Sequence, residues 1–472
     1  MSQDVAFTPA WELGELIARR KVSPVEVAKV FLERIERLNP RLNAYLTVTA
    51  EEALAAARSA EQRVVKGEPV GLLHGLPVSI KDLFWTKGVR TTGGSLIYKE
   101  FVPQEDSVVV ERVKKAGGVL LGKTNTPEFG LSGTTENRLG DPCRNPWDPS
   151  CTTGGSSGGA GAAVAAGLGP LALGSDAGGS IRIPASFCGI FGLKPTRGLI
   201  PYHGGFGKPV FNPFSHMGPM TRTVRDAALF LQALAGFDRR DPNALRGEPP
   251  DYLAALDGGV RGLRMAWTKD LGHAPVDPEV AQVCGRAARV FEELGAVVEE
   301  PGIAWEDPHP SFQVLRAANA YAAYGELLET KVDLLTDYLR ERVEPGRSVT
   351  GVEYTRALRQ MQEFTVQVED LFERYDILLT PTVAVPAFPI GQFPEVIGGR
   401  RVEERRRAFY PFTGPFNMTG QPAATVPCGF SSKGLPIGLQ IIGRRGEDAL
   451  VLRVCAAFEE AKPWAEVRPP VS

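Results

Sequence analysis

A glycine- and serine-rich stretch between residues 154 and 195 has the composition of a nucleophilic active site. Within it, the segment DAGGS ends at Ser180 and offers successive backbone amides that can converge on a developing oxyanion. A serine at the end of such a turn is well placed to attack a carbonyl carbon. The glycines alternate with a helix pattern and with apolar strand residues, so the stretch does not have the composition of a flexible linker.

A serine nucleophile needs a base, and this stretch contains no histidine. Lys81, which closes the apolar run LPVSI, is the other candidate, although a lysine at the end of a strand is more often a surface charge. A lysine acts as a base only when it is neutral, and free lysine titrates at about pH 10.4. Catalysis at neutral pH therefore requires burial and neighbouring groups that lower the pKa of Lys81 by roughly 3 units.

The segment GGVLLGKT, residues 117–124, matches the phosphate-loop pattern G-x-x-x-x-G-K-[ST]. A phosphate loop needs a turn between a strand and a helix, whereas the apolar centre of this segment favours a buried strand. A helix pattern precedes the segment, and the NTPEFG that follows it is typical of a loop. We interpret residues 117–124 as a strand and keep a nucleotide-binding module as an alternative hypothesis, which an ATP-induced rise in melting temperature dependent on Lys123 would support.

A second misleading pattern lies in GGSSGG, residues 154–159, which contains G-x-S-x-G in two frames. The corresponding hydrolase elbow needs a strand before the serine, and then an acid and a histidine further along the chain. The preceding residues, DPCRNPWDPSCTT, are typical of a loop. The context therefore disfavours a Ser-His-Asp hydrolase.

The long segment GGSSGG…GSDAGGSIRIPASFCGIFGLKP resembles the signature of the amidase signature family. Three further segments resemble the same family: GLPVSIKDLFWTKGVRTTGGS around the lysine, LLGKTNTPEFG, and the C-terminal PFNMTGQPAATVPCGF…GLPIGLQIIG. The resemblance covers most of the chain, and it explains the phosphate-loop match as a strand of the family fold.

The resemblance implies a Ser–cis-Ser–Lys triad in which Ser180 is the nucleophile, Ser156 the bridging serine after a cis peptide bond, and Lys81 the base. Ser180 would form an acyl-enzyme that water then cleaves, without a metal or cofactor. The oxyanion amides would be those of Ala177, Gly178, Gly179 and Ser180.

Further residues match the family at lower specificity. Ser157, Asp176 and Arg182 would hold the catalytic turn, and Gly130, Leu131 and Ser132 would line the channel for the acyl group. The chain departs from the family where Thr153 replaces a frequent proline, which affects loop stiffness rather than chemistry.

The elements that must position these residues alternate between strand, helix and loop, which predicts an α/β fold. Helices are expected from SPVEVAKVFLERIERLNP, AEEALAAARSAEQRVV, SVVVERVKKAG, AGAAVAAGLG and TVRDAALFLQALAG, and strands from LPVSIKD, GVLLGKTN, the start of FERYDILLTPTVAVPAFPIG and GLPIGLQIIGRRG. Residues 240–375 are expected to be mostly amphipathic helix. The family implies a single α/β/α sandwich with a large mixed sheet over residues 1–472: N-terminal helices (1–65), a catalytic core (71–230), a variable specificity region (240–410) and a C-terminal part of the core (411–472).

Composition limits the partners of the chain. It has 472 residues and a net charge of −2, so neither a nucleic acid nor an anionic membrane surface is expected as a partner. The first residues lack an apolar signal segment, no stretch is long and apolar enough to span a membrane, and six cysteines have neither metal nor C-x-x-C spacing. We therefore expect a cytoplasmic, soluble protein with reduced thiols. A homodimer is compatible with the sequence.

The substrate is expected to be a small-molecule amide with an apolar or aryl group, with esters and carbamates (urethanes) as further substrates. The aromatic and glycine-rich residues 202–216 predict a loop over an apolar pocket, although core packing is an equal interpretation. The alternative within the family is the glutaminase A-type subunit of a tRNA amidotransferase, which would need partner chains.

Overall fold

The structure is a computed structural model that describes residues 2–206 and 213–472. Its strands are β1 (Tyr45–Val48), β2 (Pro77–Lys81), β3 (Val119–Thr124), β4 (Leu171–Asp176), β5 (Phe191–Lys194), β6 (His216–Thr221), β7 (Arg264–Trp267), β8 (Val297–Glu299), β9 (Ile377–Pro381), β10 (Val396–Ile397), β11 (Arg400–Arg401), β12 (Ala423–Phe430) and β13 (Pro436–Gly443).

The helices of the described residues cover both faces of the sheet that these strands build. They are α1 (Ser2–Phe7), α2 (Ala10–Ala18), α3 (Pro24–Leu42), α4 (Ala50–Lys66), α5 (Val108–Lys115), α6 (Gly158–Ala165), α7 (Arg182–Cys188), α8 (Val224–Leu234), α9 (Pro278–Glu293), α10 (His309–Thr330), α11 (Asp337–Val343), α12 (Gly351–Phe372), α13 (Arg405–Ala408), α14 (Pro415–Thr419) and α15 (Asp448–Ala461).

The large sheet has 11 strands in the order β1-β3-β2-β4-β6-β5-β12-β13-β9-β7-β8, while β10 and β11 form a separate pair. The sheet is mixed, because β2 pairs in parallel with both β3 and β4 while β4 pairs antiparallel with β6. Strands β12 and β13, close to the end of the chain, lie in the middle of the sheet. The predicted mixed sheet flanked by helices is therefore confirmed.

Alternating side chains of β4 show how the two faces are covered. Leu171 and Leu173 belong to the largest apolar cluster, which also takes residues from α2, α8, α9 and α15. Ala172, between them, belongs to a second cluster that takes residues from α6 and α7. Since successive strand residues point to opposite faces, these clusters are the two apolar layers of an α/β/α arrangement.

The register of β2 and β4 brings together the ends of these two strands, which carry candidate site residues. In the parallel pair of β2 and β4, Val78 lies opposite Leu171 and Ile80 opposite Leu173. Parallel strands end at the same edge of a sheet, so Lys81 at the end of β2 lies beside the end of β4. Residues 175 and 176 and the turn after them are therefore placed next to the lysine.

Local signals predicted most of the helices well. Helix α3 begins at Pro24 behind the predicted capping box, in which Ser23 accepts from the backbone and Glu26 accepts from the Ser23 amide. Helices α9 to α12 lie within residues 240–375, as expected, but strands β7 and β8 in the same range were not predicted. These strands have only 4 and 3 residues, too few to show a period of two against the helices that surround them.

The phosphate-loop segment is a buried strand, as its apolar centre predicts. Lys123 lies in β3 and is 1% exposed, with its Nζ donating to the Phe84 carbonyl at 2.6 Å and to Thr91 Oγ1 at 2.7 Å. Asp82 lies 3.7 Å from the same ammonium group. Because the lysine is enclosed and already paired, the structure contradicts the hypothesis of a nucleotide site at residues 117–124.

Three further expectations concern membrane-spanning helices, the cysteines and the loop predicted over residues 202–216. Within residues 2–206 and 213–472, no helix is both long and apolar enough to cross a membrane. All six cysteines are free, and Cys428 alone is not fully buried. Of the loop predicted over residues 202–216, residues 207–212 lie outside the described part of the chain.

Candidate active site

Lys81 ends β2 in an enclosed setting of hydroxyl groups. Its side chain is 0% exposed. Its Nζ lies 2.6 Å from Ser156 Oγ, 2.9 Å from Ser157 Oγ and 3.0 Å from Ser175 Oγ. No carboxylate among the described residues forms an ion pair with this amine. The lysine is therefore held by neutral partners, unlike Lys123, which faces Asp82.

This environment favours the neutral amine. Burial lowers the pKa of Lys81 well below its usual value, and the more distant carboxylate of Asp176 opposes that effect only in part. The Ser157 hydroxyl donates to the Ser175 carbonyl at 3.2 Å, so it accepts from Lys81 rather than donating to it. A neutral amine then has a lone pair left to accept from the hydroxyl of Ser156 or of Ser175.

Small residues shape the loop that carries Ser156 and Ser157. The peptide bond between Gly155 and Ser156 is cis, as the family resemblance implies. A Cβ at Gly155 would lie 2.6 Å from the Thr134 carbonyl oxygen, and a Cβ at Gly159 would lie 2.2 Å from the Asn125 nitrogen. Any larger residue at these two positions would push the loop away from the neighbouring backbone. Glycine there lets the two serines reach Lys81.

Ser180 lies on the turn between β4 and α7, and the Ser157 amide donates to its carbonyl at 3.0 Å. The Asp176 carboxylate organises this turn by accepting from the amides of Gly179 at 2.6 Å and of Gly178 and Ile181 at 3.2 Å. Of the four amides predicted for an oxyanion hole, those of Gly178 and Gly179 thus already donate to Asp176. Among the described residues, the amides of Ala177 and Ser180 have no protein acceptor, and both residues line the adjoining pocket.

A fully buried polar network fixes Asp176 in place. Arg182 donates to both carboxylate oxygens, at 2.9 and 3.0 Å, and reaches Asn417 at 2.6 Å and Gln440 at 2.7 Å. Asn417 in turn donates to the Asp176 carboxylate at 2.9 Å. Burial alone would raise the pKa of Asp176, but Arg182 and these hydrogen bonds hold it well below its usual range. The carboxylate is therefore an ionised anchor for the turn.

We expect Arg182→Met to lower the free energy of unfolding by roughly 3–5 kcal/mol, because it leaves the buried Asp176 charge without its partner. Urea denaturation followed by circular dichroism measures the loss. Arg359→Met is the matched control, since Arg359 is an exposed residue 3.5 Å from Glu363 and its loss should cost at most about 1 kcal/mol. Equal losses in both variants would contradict this account of the network.

A pocket of about 790 Å³, counted with its open mouth, adjoins these groups. Ser156, Ser175 and Ser180 line it, whereas Lys81 lies behind the serines. Hydroxyl groups therefore separate the amine from the space that a substrate would occupy.

Aromatic side chains form one wall of the pocket. Phe129 stacks on Tyr324 with ring centroids 4.5 Å apart, and Phe206 lies 5.7 Å from Phe129. Phe129 adopts a positive φ of 50°, which is uncommon for a non-glycine residue. This wall suits an apolar or aryl group.

The loop predicted to line an acyl channel contributes unequally. Gly130 and Leu131 line the pocket, and a Cβ at Gly130 would lie 3.2 Å from Ser156 Oγ. Ser132 is not among the lining residues, and its hydroxyl instead accepts from the Thr134 amide at 3.3 Å. The Ser132 hydroxyl therefore stabilises the loop, and its role in an acyl channel stays a prediction.

Several residues of the site escaped the sequence analysis. Ser175 contacts Lys81 and lines the pocket, and its place before Asp176 at the end of a strand was the available signal. Asn417 and Gln440 stand as isolated polar residues in the apolar segments PFNMTG and IGLQIIG, a pattern that indicates buried hydrogen bonding. No local sequence pattern indicated that residues of α10 line the pocket.

Known proteins are similar to this chain along nearly its whole length. A family model described as Amidase matches residues 26–452. The chain belongs to the amidase signature family. An acylamidase from Rhodococcus erythropolis is 41% identical, covering 99% of this chain and 98% of that protein. The glutamyl-tRNA(Gln) amidotransferase of Moorella thermoacetica (strain ATCC 39073 / JCM 9320) has an A-type subunit that is 38% identical, covering 99% of each chain.

A solved structure of a family member has the same fold as this chain. The crystal structure of a bacterial aryl acylamidase of the amidase signature family superimposes with a TM-score of 0.91 at 34% identity, covering 98% of this chain and 97% of that one. This amidase is thus an amide-cleaving hydrolase that acts on small-molecule amides. Which of its residues carry the reaction is a separate question.

Proposed function

We propose that Ser180 is the nucleophile, Lys81 the general base and Ser156 the proton relay of this amidase. The observation that carries the proposal is the enclosed Lys81 amine, which is held by hydroxyl groups that share a pocket with Ser180. A carboxylate partner favours the protonated amine, whereas burial among hydroxyl groups lowers the pKa of Lys81 and favours the neutral amine. The shortest contact of the amine, 2.6 Å, is with Ser156.

The reaction then proceeds in two halves. Lys81 takes a proton from Ser156, which takes one from Ser180, and the Ser180 oxygen attacks the amide carbonyl carbon. The proton returns through Ser156 to the leaving nitrogen as the C–N bond breaks, which leaves an acyl-enzyme on Ser180. Water, deprotonated by the same relay, attacks the ester carbonyl and releases the carboxylic acid.

The oxyanion is assigned to the two amides without a protein acceptor, those of Ala177 and Ser180. Fixed donors at this position stabilise negative charge that develops only in the transition state. The amides of Gly178 and Gly179 act indirectly, because their bonds to Asp176 set the orientation of the turn. Asp176 and Arg182 are accordingly positioning residues.

The substrate is proposed to be an amide with an apolar or aryl group that packs against the aromatic wall around Phe129. Esters and carbamates share the carbonyl geometry and have equal or better leaving groups, so the same acyl-enzyme route serves them. The names of two relatives, an acylamidase and an aryl acylamidase, support this class.

The alternative is a glutaminase subunit, which the amidotransferase relative supports. Purified protein that hydrolyses anilides without a partner chain argues for the stand-alone enzyme. Glutaminase activity that appears only with added partner subunits would reverse this choice.

The test of the nucleophile is covalent labelling. We expect a fluorophosphonate probe to modify the purified protein on the peptide that contains Ser180, as mapped by mass spectrometry, and to leave Ser180→Ala unmodified. Ser215→Ala, which changes another pocket-lining serine, should label normally. Labelling at a different serine, or of Ser180→Ala, would contradict the proposal.

A further inference from the structure

Arg316 is a cationic side chain in the same pocket as Ser180. It lies close to the catalytic turn, since a Cβ at Gly178 would be 2.9 Å from its Nη1 atom. Its guanidinium carbon lies 5.2 Å from the ring centroid of Phe312, which supports it from one side. The guanidinium is thus held next to the position where the scissile carbonyl would bind.

This guanidinium has no carboxylate partner among the described residues. The nearest carboxylate across the turn, Asp176, is already bound by Arg182. Its other charged neighbours are the cations Arg342 and Arg407, and the undescribed segment GKPVFN contains no acidic residue. Burial and these cations lower the pKa of Arg316 to about 9, so the group is still charged at neutral pH.

The neighbouring charges of Arg316 are also engaged elsewhere. Arg342 donates to Gln313 at 2.7 Å, and Arg407 forms an ion pair with Glu404 at 3.1 Å. The Tyr410 side chain, which also faces these groups, offers a hydroxyl and no carboxylate. Arg316 and Arg342 are therefore two neighbouring cations without a carboxylate partner among the described residues.

Helix α10 connects this end with the aromatic wall. The pocket-lining residues of α10 follow the helical period and lie on one face: Arg316, Asn319, Ala320, Ala323 and Tyr324. At about 1.5 Å per residue, Arg316 and Tyr324 are about 12 Å apart along the helix axis. The Nδ2 atom of Asn319, between them, is buried without an acceptor. The pocket thus has a cationic end beside the turn and an aromatic end.

We propose that Arg316 is a specificity-determining residue that selects amides carrying a carboxylate within a few bonds of the scissile carbonyl. An apolar or aryl group on the other side would pack against Tyr324 and Phe129. The inference rests on the proposed function and narrows its substrate class to acidic amides. The guanidinium fork is matched to a carboxylate, with which it forms two parallel hydrogen bonds.

The carboxylate that Arg316 selects belongs either to the acyl half or to the amine half of the substrate. Two pairs of substrates distinguish these two positions. The 4-nitroanilide of succinic acid, with a free carboxylate, is compared with that of pentanoic acid. N-benzoylglycine is compared with N-propylbenzamide. Wild type, Arg316→Gln, Arg316→Lys and the exposed control Arg359→Gln are measured for kcat/KM on each.

In at least one pair, we expect Arg316→Gln to lower kcat/KM for the acidic substrate by about 10- to 100-fold, as for a lost charge-assisted hydrogen bond. The neutral substrate should change by less than about twofold, and Arg316→Lys should recover part of the loss because it retains the charge. Arg359→Gln should match wild type. Equal loss on acidic and neutral substrates, or no loss on either pair, would overturn the inference.

A binding measurement separates this inference from the proposed chemistry. N-benzoylglycine should slow fluorophosphonate labelling of Ser180 in wild type, and Arg316→Gln should need at least about 10 times more of it for the same protection. Equal protection of both proteins would overturn the role of Arg316 even if amides are cleaved. A failure of the proposed function would give a different result. In that case Ser180→Ala would still hydrolyse the neutral anilide.

Discussion

Ser180→Ala is expected to lower kcat/KM for amide hydrolysis by at least about 10⁴-fold, because no other hydroxyl can form the acyl-enzyme from the same position. Hydrolysis of a 4-nitroanilide, followed by release of 4-nitroaniline, measures the loss. The substitution removes one oxygen from a partly exposed residue, so the melting temperature should stay close to that of wild type. Loss of activity with retained stability identifies a chemical role.

Ser215→Ala is the matched control for this result. Ser215 lines the same pocket but makes no contact with Lys81, and its substitution should change kcat/KM by less than about threefold. If Ser180→Ala kept a tenth of the wild-type activity, Ser180 would not be the nucleophile. Ser156 and Ser175, which also line the pocket, would then be the next serines to replace.

The sequence predicted the catalytic elements well because their signals are local. Strand β2 follows from an apolar run that ends in lysine, and the turn after β4 follows from the glycines of DAGGS, which suit a tight turn. Strands β7 and β8 gave no such signal, since they have only 4 and 3 residues. Strand β7 pairs with β9, which is more than 100 residues away along the chain, and among the described strands β8 pairs only with β7.

Details of the site that depend on long-range contacts could not be predicted. The sequence places four amides in the turn, but only the folded chain shows that Asp176 takes those of Gly178 and Gly179. Arg316 lies more than 130 residues beyond Ser180 in a helix without a recognisable motif. Its place in the pocket follows from the packing of α10 against the loop that carries Phe129, which local pattern does not encode.

Lys81→Met is expected to lower kcat/KM by about 10³- to 10⁴-fold, because it removes the base while retaining an apolar side chain of similar length. A progress curve with a 4-nitroanilide at saturating and subsaturating concentrations measures kcat and KM separately. We expect the loss in kcat, since Lys81 lies behind the serines and outside the substrate pocket. A rise in KM with unchanged kcat would contradict a role as base.

Lys123→Met is the informative comparison for this variant. Both lysines are buried, but Lys123 faces Asp82 and lies outside the candidate site. Its replacement leaves the buried Asp82 carboxylate without its cation, so we expect a loss of stability. Activity per folded molecule should fall far less than in Lys81→Met, because Lys123 contacts none of the serines and reaches the pocket lining only through the Phe84 carbonyl. The two variants therefore separate catalysis from stability.

The pH dependence supplies the last test of Lys81. The neutral amine is the active form, so kcat/KM should rise with pH through the lowered pKa of Lys81 and level off well below pH 10.4. Between that lowered pKa and about 10.4, the unfolded chain binds a proton that the folded enzyme does not, so wild-type stability should gain with rising pH in this window. Lys81→Met should show a smaller gain, as measured by urea denaturation at several pH values. The buried lysine thus costs stability at the pH at which the enzyme works, and it supplies the neutral base in return.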